Sequence, residues 1–123
     1  MVSRTNQDTG KLGERIAEKF LISRRFLILK KNFSTPFGEI DLVAKDGNFT
    51  VFVEVKTRTS EEFGSPVSAI TKAKQKRILK NCQFYLNKYR LYDRPCRIDI
   101  IGINLCKLGE MKILNHLKNA IMI

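Results

Sequence analysis

The chain has 123 residues, and its 23 basic and 12 acidic side chains give a formal net charge of +11. This length and a hydrophobic content of 43% predict one globular domain, residues 9–123, after a disordered polar segment, residues 1–8. No apolar run is long enough to span a membrane and no secretory signal is present, which predicts a cytoplasmic protein. A small domain this basic usually binds a polyanion, and nucleic acid is favoured over an anionic membrane surface, the ribosome or a charge that serves only solubility.

A first helix is predicted from Asp8 or Thr9 to about Arg24. Its apolar residues recur at helical spacing and form a buried stripe: Leu12, Ile16, Phe20 and Leu21. Glu14 projects about 20° from Leu21 on this helix, so it lies at the edge of the stripe. It is either a flanking residue with satisfied hydrogen bonds or part of a site formed with the hairpin that follows.

The next elements are a strand, a break and a β-hairpin. The strand covers Arg25 to Phe33, and Ser34 to Gly38 forms the break. The hairpin strands are Glu39 to Ala44 and Asn48 to Thr57, and the second is rich in Val, Phe and Thr. Asp46-Gly47 is a preferred pair for the two-residue turn between them.

This turn predicts which hairpin residues share a face. With that two-residue loop, Asp41 faces Phe52 and Glu39 faces Glu54. Asp41 and Glu54 are then diagonal neighbours with backbones about 7–8 Å apart, within reach of one cation. Alternation divides the second strand into one face with Thr50, Phe52, Glu54 and Lys56 and another with Val51, Val53 and Val55.

The charged face of the hairpin suggests metal-dependent chemistry. Asp41 is followed thirteen residues later by Glu54-Val55-Lys56, a spacing typical of metal-dependent phosphodiester cleavage. Carboxylates suit Mg²⁺ or Mn²⁺, and Lys56 can orient or deprotonate a water or stabilise developing charge. The alternative is an exposed face of solvated charges with an ion pair between Glu54 and Lys56.

A second helix is predicted from Pro66 to about Tyr89. Its polar side is either a solvated face or the face that contacts phosphates through charge. Gln75 lies in this helix, but spacing alone does not place it beside the acids. The basic residues of this predicted nucleic-acid-binding face are Lys72, Lys74, Lys76, Arg77 and Lys80, with Arg58 at the end of the hairpin.

The remainder of the chain predicts further strands and no cysteine or histidine cluster. Arg97 to Ile103 is a strand in which Arg97 pairs with Asp99, and Met111 to His116 can form a last strand. The apolar end, Ile121 to Ile123, docks on the domain or on a second subunit. The three cysteines lack metal-ligand spacing and are predicted to be reduced, mostly core residues: Cys82, Cys96 and Cys106. The element order predicts an α/β domain with a central mixed sheet flanked by helices.

Taken together, four segments resemble the YraN family of uncharacterised bacterial proteins: Gly13-Glu14, Gly38 to Leu42, Phe52 to Arg58 and Arg97 to Asp99. That family is assigned to the restriction-endonuclease-like, PD-(D/E)XK nuclease superfamily and is similar in layout to archaeal Holliday-junction resolvases. The resemblance implies a Mg²⁺-dependent endonuclease that acts on DNA, including branched or damaged structures. It implies that Asp41 and Glu54 bind the metal, that Lys56 is the catalytic lysine and that Glu14 is a further ligand.

The resemblance also implies weaker assignments. Gln75 matches a polar residue that several superfamily members place in the second helix. The family pattern gives Glu39 no settled role, and we predict a supporting residue at the rim because Glu39 shares the charged face opposite Glu54. Ile40 stands where the superfamily name has a proline. Resolvase-like relatives imply a homodimer. The alternative is a non-catalytic nucleic-acid-binding module that retains the nuclease fold, because a fold does not determine activity.

Overall fold

A computed structural model of the chain describes residues 6–58, 70–105 and 111–123. Its elements in chain order are α1 (Asn6–Ser23), β1 (Leu27–Thr35), β2 (Gly38–Asp46), β3 (Phe49–Arg58), α2 (Lys72–Tyr89), β4 (Cys96–Leu105) and β5 (Met111–Ile121). The predicted class is confirmed: the fold is mixed α/β, with a five-stranded sheet and two helices, as in restriction-endonuclease-like proteins.

The strands lie in the order β1-β2-β3-β4-β5, and β3 pairs with β4 in parallel while the other neighbours are antiparallel. Parallel neighbours require a crossover connection, and α2 lies within the one between β3 and β4. The two helices pack on opposite faces of the sheet, each over its own apolar cluster.

Side chains of β3 alternate between these clusters as predicted. Val51 and Val53 pack on the α1 side with Ala17 and Leu21. Phe52 packs on the α2 side, where the helix contributes Cys82, Tyr85 and Leu86. The central strand is therefore buried on both faces, which anchors the charged residues that follow it.

Helix starts differ from the predictions. Helix α1 begins at Asn6, so residues 6–8 are helical rather than disordered, and residues 1–5 lie outside the described residues. A hydrophobic stripe does not mark this start because the first turn of a helix needs no buried side chain.

Helix α2 begins after Thr71, whose extended backbone and side-chain oxygen cap the Lys74 N–H at 3.2 Å. The predicted start at Pro66 is therefore too early, and residues 66–69 lie outside the described residues.

The outer strands differ from the predictions: β1 has the predicted nine residues but begins two positions later, at Leu27, and β5 is longer. Strand β1 extends to Thr35, which shortens the break before the hairpin to Pro36-Phe37, and β5 extends to Ile121. Ile121 is buried on the α2 side, whereas Met122 and Ile123 are exposed. Cys82 and Cys96 are free thiols, as predicted, and Cys106 lies outside the described residues. Neither described helix is long and apolar enough to cross a membrane.

Helix α1 approaches the end of β3 closely at Gly13. A Cβ at this position would lie 1.9 Å from Thr57 Oγ1 and 3.1 Å from Thr57 Cβ. Rotation of the Thr57 side chain cannot relieve both contacts, so Gly13→Ala is expected to lower the free energy of unfolding by about 1–3 kcal/mol. Urea denaturation measures this, with Gly10→Ala as the control, because a Cβ at Gly10 has no atom within 4 Å. Equal stability of the two variants would contradict the close approach.

Candidate active site

The hairpin turn consists of Gly47 and Asn48, one residue later than predicted, so Asp46 pairs with Phe49. Gly47 has a φ of +58°, a left-handed conformation that glycine adopts without strain. Asp46 belongs to β2 rather than to the turn because Arg97 of β4 donates a hydrogen bond to its carboxylate at 2.8 Å. A contact distant in sequence therefore selects between two acceptable turns.

This shift corrects the predicted cross-strand pairs. Phe52 lies opposite Val43 rather than Asp41, and the β2–β3 pairing ends at Leu42 and Val53. The faces of β3 are unaffected, since a turn displaced by one residue in both strands preserves the alternation. The predicted charged face of β3 is thus retained, although its partners on β2 change.

Asp41 lies where β2 and β3 separate. Its Oδ2 accepts a hydrogen bond from the Val55 N–H at 2.8 Å, which replaces the missing strand partner. The neighbours Ile40 and Leu42 pack on opposite faces of the sheet, although strict alternation would place them on the same face. Irregularities of this kind re-aim side chains and are frequent beside active sites. Asp41 consequently has access to charged groups on both sides of the sheet.

Glu14 reaches Asp41 from α1. Their carboxyl groups are close enough to influence each other by charge and by hydrogen bonding. Burial, followed by the charge of Asp41, raises the pKa of Glu14 to about 7. Burial, followed by the charge of Glu54, also raises the pKa of Asp41 to about 7. The charge of Glu39 contributes to both increases, so the structure brings four of the predicted acids into one electrostatic group: Glu14, Glu39, Asp41 and Glu54.

Glu54, Lys56 and Glu39 line a cavity of about 210 Å³ between the sheet and the start of α2, together with Lys74 and Arg77. Burial raises the pKa of Glu54, although the positive charges of Lys56 and Lys74 oppose this increase. Glu39 pairs with Ser34 of β1 instead of standing opposite Glu54 as predicted. Lys56 therefore shares one cavity with Glu39 and Glu54. Glu14 lies on α1, which packs on the opposite face of the sheet, and Asp41 interacts with both Glu14 and Glu54.

Two asparagines that the sequence analysis did not single out support the acids. With its amide oriented to donate, Asn32 Nδ2 lies 2.8 Å from Glu39 Oε1 and 3.0 Å from Glu14 Oε2. Asn81 is buried, donates to the Glu39 backbone oxygen at 3.4 Å and accepts a hydrogen bond from Thr35. For Asn81, the sequence offers one indication: it is a polar residue among the apolar positions of α2 that face the sheet.

Other predicted residues lie further from the acids. Gln75 donates to the Ile70 carbonyl oxygen at 3.3 Å and does not line the 210 Å³ cavity. Lys74 and Arg77 are the members of the predicted basic face that line that cavity. The rest of that face consists of exposed Lys72, Lys76 and Lys80 and half-buried Arg58.

The acids suit a hard divalent cation by their chemistry. Asp41 and Glu54 are partly buried, like-charged carboxylates whose pKa values are raised by burial and by neighbouring acids. A cation between them would relieve that repulsion, and Mg²⁺ commonly binds one or two carboxylates and retains waters. Glu14 would be a further ligand. No three His, Cys, Asp or Glu side chains in the described part of the chain are grouped to hold a metal by themselves.

Asp41→Asn is expected to stabilise the metal-free protein at pH 8. The raised pKa of Asp41, about 7, means that the folded state binds more protons than the unfolded state between about pH 4 and 7. Stability of the parent protein therefore falls as the pH rises through this window. Urea denaturation in EDTA should show little difference at pH 4 and an advantage of about 1–2 kcal/mol for the variant at pH 8, after allowance for solvent screening.

The control for this experiment is Asp93→Asn, which removes an exposed carboxylate from the connection between α2 and β4. It should not reproduce the pH-dependent gain. An Asp41→Asn effect that is constant between pH 4 and 8 would contradict the electrostatic explanation, because a packing change does not depend on protonation.

Comparison with known proteins identifies the family. The model of the uncharacterised protein family UPF0102 matches residues 13–103. A UPF0102 protein of Dictyoglomus turgidum is 42% identical over 115 residues, covering 94% of this chain and 98% of its own. A UPF0102 protein of Clostridium botulinum is 43% identical over 119 residues, covering 96% of this chain and 97% of its own. The structure of Pyrococcus furiosus SfsA in complex with Ca²⁺ is similar with a TM-score of 0.40 and 16% identity, over 91% of this chain and 64% of that one. On the family match and these identities, the chain belongs to the UPF0102 family, which is the YraN family that its motifs resemble.

Proposed function

We propose that this protein is a Mg²⁺- or Mn²⁺-dependent nuclease of the cytoplasm that hydrolyses phosphodiester bonds of DNA. The observation that carries the proposal is the electrostatic coupling of Glu14, Asp41 and Glu54 where β2 and β3 separate, with Lys56 in the cavity that Glu54 lines. Acids with such raised pKa values reduce stability, and strongly perturbed groups in a cleft are typical of functional sites.

Each residue has a distinct part in the proposed reaction. A bound Mg²⁺ supplies Lewis acidity and lowers the pKa of a coordinated water. Asp41 and Glu54 hold the ion, and the Val55 N–H fixes the orientation of the Asp41 carboxylate. Lys56 follows Glu54 by two residues on the same strand face and lines the same cavity. From there it orients the attacking water or donates a hydrogen bond to the phosphate as negative charge develops.

The proposed DNA contact surface is the basic side of α2. Lys74 and Arg77 line the cavity beside Lys56, and the exposed lysines of the helix continue the positive surface. Contacts of this kind neutralise phosphates and carry no base-sequence information. Selectivity would therefore depend on DNA shape, and we propose branched or damaged DNA as substrate. A homodimer would allow two such sites to act on two strands.

A cleavage assay tests the proposal. Purified protein is incubated with a four-way DNA junction, linear duplex, single-stranded DNA and RNA, in Mg²⁺, Mn²⁺ or EDTA. We expect cleavage of DNA with metal and none in EDTA, and we expect Asp41→Ala to abolish it. Failure to cleave any substrate would refute the proposal, as would equal cleavage by the Asp41→Ala variant.

A non-catalytic nucleic-acid-binding module is the second candidate. It is favoured by the fact that no group of three potential ligands stands ready for a metal within the described ranges. This candidate predicts DNA binding with a steep salt dependence and no heat on titration with Mn²⁺. Calorimetric binding of Mn²⁺ that is lost in Glu54→Gln would favour the enzyme instead.

A further inference from the structure

A second cavity, of about 520 Å³, lies on the α1 side of the sheet and contains none of the proposed metal-binding acids. Its apolar wall includes Phe20 and Phe26, and its basic residues are Arg24, His116 and Lys118. Its volume lies within the range of about 300–1,000 Å³ that is usual for small-molecule sites. The combination of aromatic and basic groups suggests a ligand with a flat ring and a negative charge.

His116 is held in a defined orientation at this cavity. Its Nε2 lies 2.8 Å from Asp99 Oδ2, and Asp99 is fully buried. Burial alone would raise the pKa of Asp99, but hydrogen bonds from His116, Arg97 and the Asn119 N–H outweigh it and lower the pKa. The carboxylate is therefore ionised near neutral pH and accepts a hydrogen bond from the Nε2–H of His116. The rings of Phe20 and Phe26 pack against the imidazole, with centroids 5.9 and 5.8 Å away.

The charge balance at the cavity favours an anion. Asp46 also lines it, but Arg97 neutralises that carboxylate at a distance of 2.8 Å. The Arg24 guanidinium lies over the Phe20 ring, 5.1 Å from its centroid, which keeps the cation at the rim. Among the described residues, neither Arg24 nor Lys118 forms an ion pair with a carboxylate. These two cations are available to a ligand.

Asn115 also lines the cavity and adds a polar residue to the aromatic and basic lining. We propose that the cavity binds a nucleoside monophosphate unit, with the phosphate at Arg24 and Lys118 and the base along the aromatic wall. The unit is either a free nucleotide or the terminal nucleotide of a nucleic-acid strand.

Isothermal titration calorimetry of the whole protein in EDTA and low salt tests this. The probes are 5′-AMP, adenosine, inorganic phosphate and a short 5′-phosphorylated oligonucleotide. We expect the dissociation constant of AMP, or of the oligonucleotide, to rise about five- to tenfold in Arg24→Ala and in Lys118→Ala, since each removes a charge-assisted hydrogen bond. Lys19→Ala is the matched control, because Lys19 is an exposed lysine of α1 outside the cavity.

The probes separate the two sources of the ligand. Tighter binding of AMP identifies a free nucleotide, and tighter binding of the oligonucleotide that still depends on Lys118 identifies a strand terminus; both outcomes support the proposal. It is overturned if neither probe binds, if adenosine binds as tightly as AMP, or if Lys19→Ala weakens binding as much as Lys118→Ala. Asp41→Asn should bind AMP normally, so the result does not depend on the proposed nuclease.

Discussion

Lys56→Ala is expected to lower the rate of metal-dependent DNA cleavage by about 10²–10⁴-fold, the usual contribution of a positioned acid–base or charge-stabilising group. Lys56 lines the cavity with Glu54, and its charge also lowers the pKa of that carboxyl group. Its removal therefore affects both the phosphate and the metal ligand. Single-turnover rates at saturating Mn²⁺ separate these effects, because excess metal compensates for a weakened ligand but not for a lost catalytic group.

The matched control is Lys76→Ala, which removes the same charge from the exposed side of α2. It should weaken DNA binding slightly, reduce the salt dependence of affinity and leave the single-turnover rate near that of the parent protein. Equal losses in Lys56→Ala and Lys76→Ala would contradict a specific role for Lys56 and indicate that both lysines act through overall charge.

The central acids could be located from sequence because their spacing depends on local geometry. Glu54 and Lys56 must emerge on one face of an extended strand, and the valines between and before them identify the opposite face. The prediction that Glu54 and Lys56 share a face of β3 holds although the turn lies one residue later than predicted, because the alternation of side chains along a strand does not depend on which residues form the loop. The order of elements and the mixed sheet followed from similarly local patterns.

The exact turn, the surroundings of Asp41 and the role of Asn81 could not be predicted, because they depend on contacts between residues that are distant along the chain. Asp46-Gly47 and Gly47-Asn48 both suit a tight turn, and the choice between them depends on Arg97, 51 residues after Asp46. Asp41 has access to both faces of the sheet because the side chains of Ile40 and Leu42 do not follow the regular alternation of a strand. The sequence of β2 does not indicate this irregularity. Asn81 donates a hydrogen bond to the backbone oxygen of Glu39 in the hairpin, which lies 42 positions earlier in the chain. Such partners cannot be assigned before the packing of α2 on the sheet is known.

Asp99→Ala is expected to lower the free energy of unfolding by about 3–5 kcal/mol, a large part of the total for a small domain. Asp99 has no exposed surface and accepts hydrogen bonds from three residues: Arg97, through Nε at 2.9 Å and Nη2 at 3.3 Å, His116 Nε2 at 2.8 Å and the Asn119 N–H at 3.0 Å. Alanine would leave the Arg97 Nε, the His116 Nε2 and the Asn119 N–H without this acceptor, and the largely buried guanidinium would keep only Asp46 as a partner. Guanidinium chloride denaturation at pH 7 measures the loss.

The pH dependence distinguishes this loss from a simple packing defect. The pKa of Asp99 is lowered in the folded state, so its contribution is present above the unfolded value near pH 4 and is lost as the pH falls toward the folded value. Asp99→Asn preserves the shape of the side chain, so it remains informative if the alanine variant does not fold. Its deficit relative to the parent protein should be largest near pH 7 and shrink below pH 4, whereas Asp93→Asn should show no comparable deficit at pH 7. A deficit for Asp99→Asn that stays constant down to pH 3 would show that cavity shape, rather than the buried charge, accounts for the stability of this network.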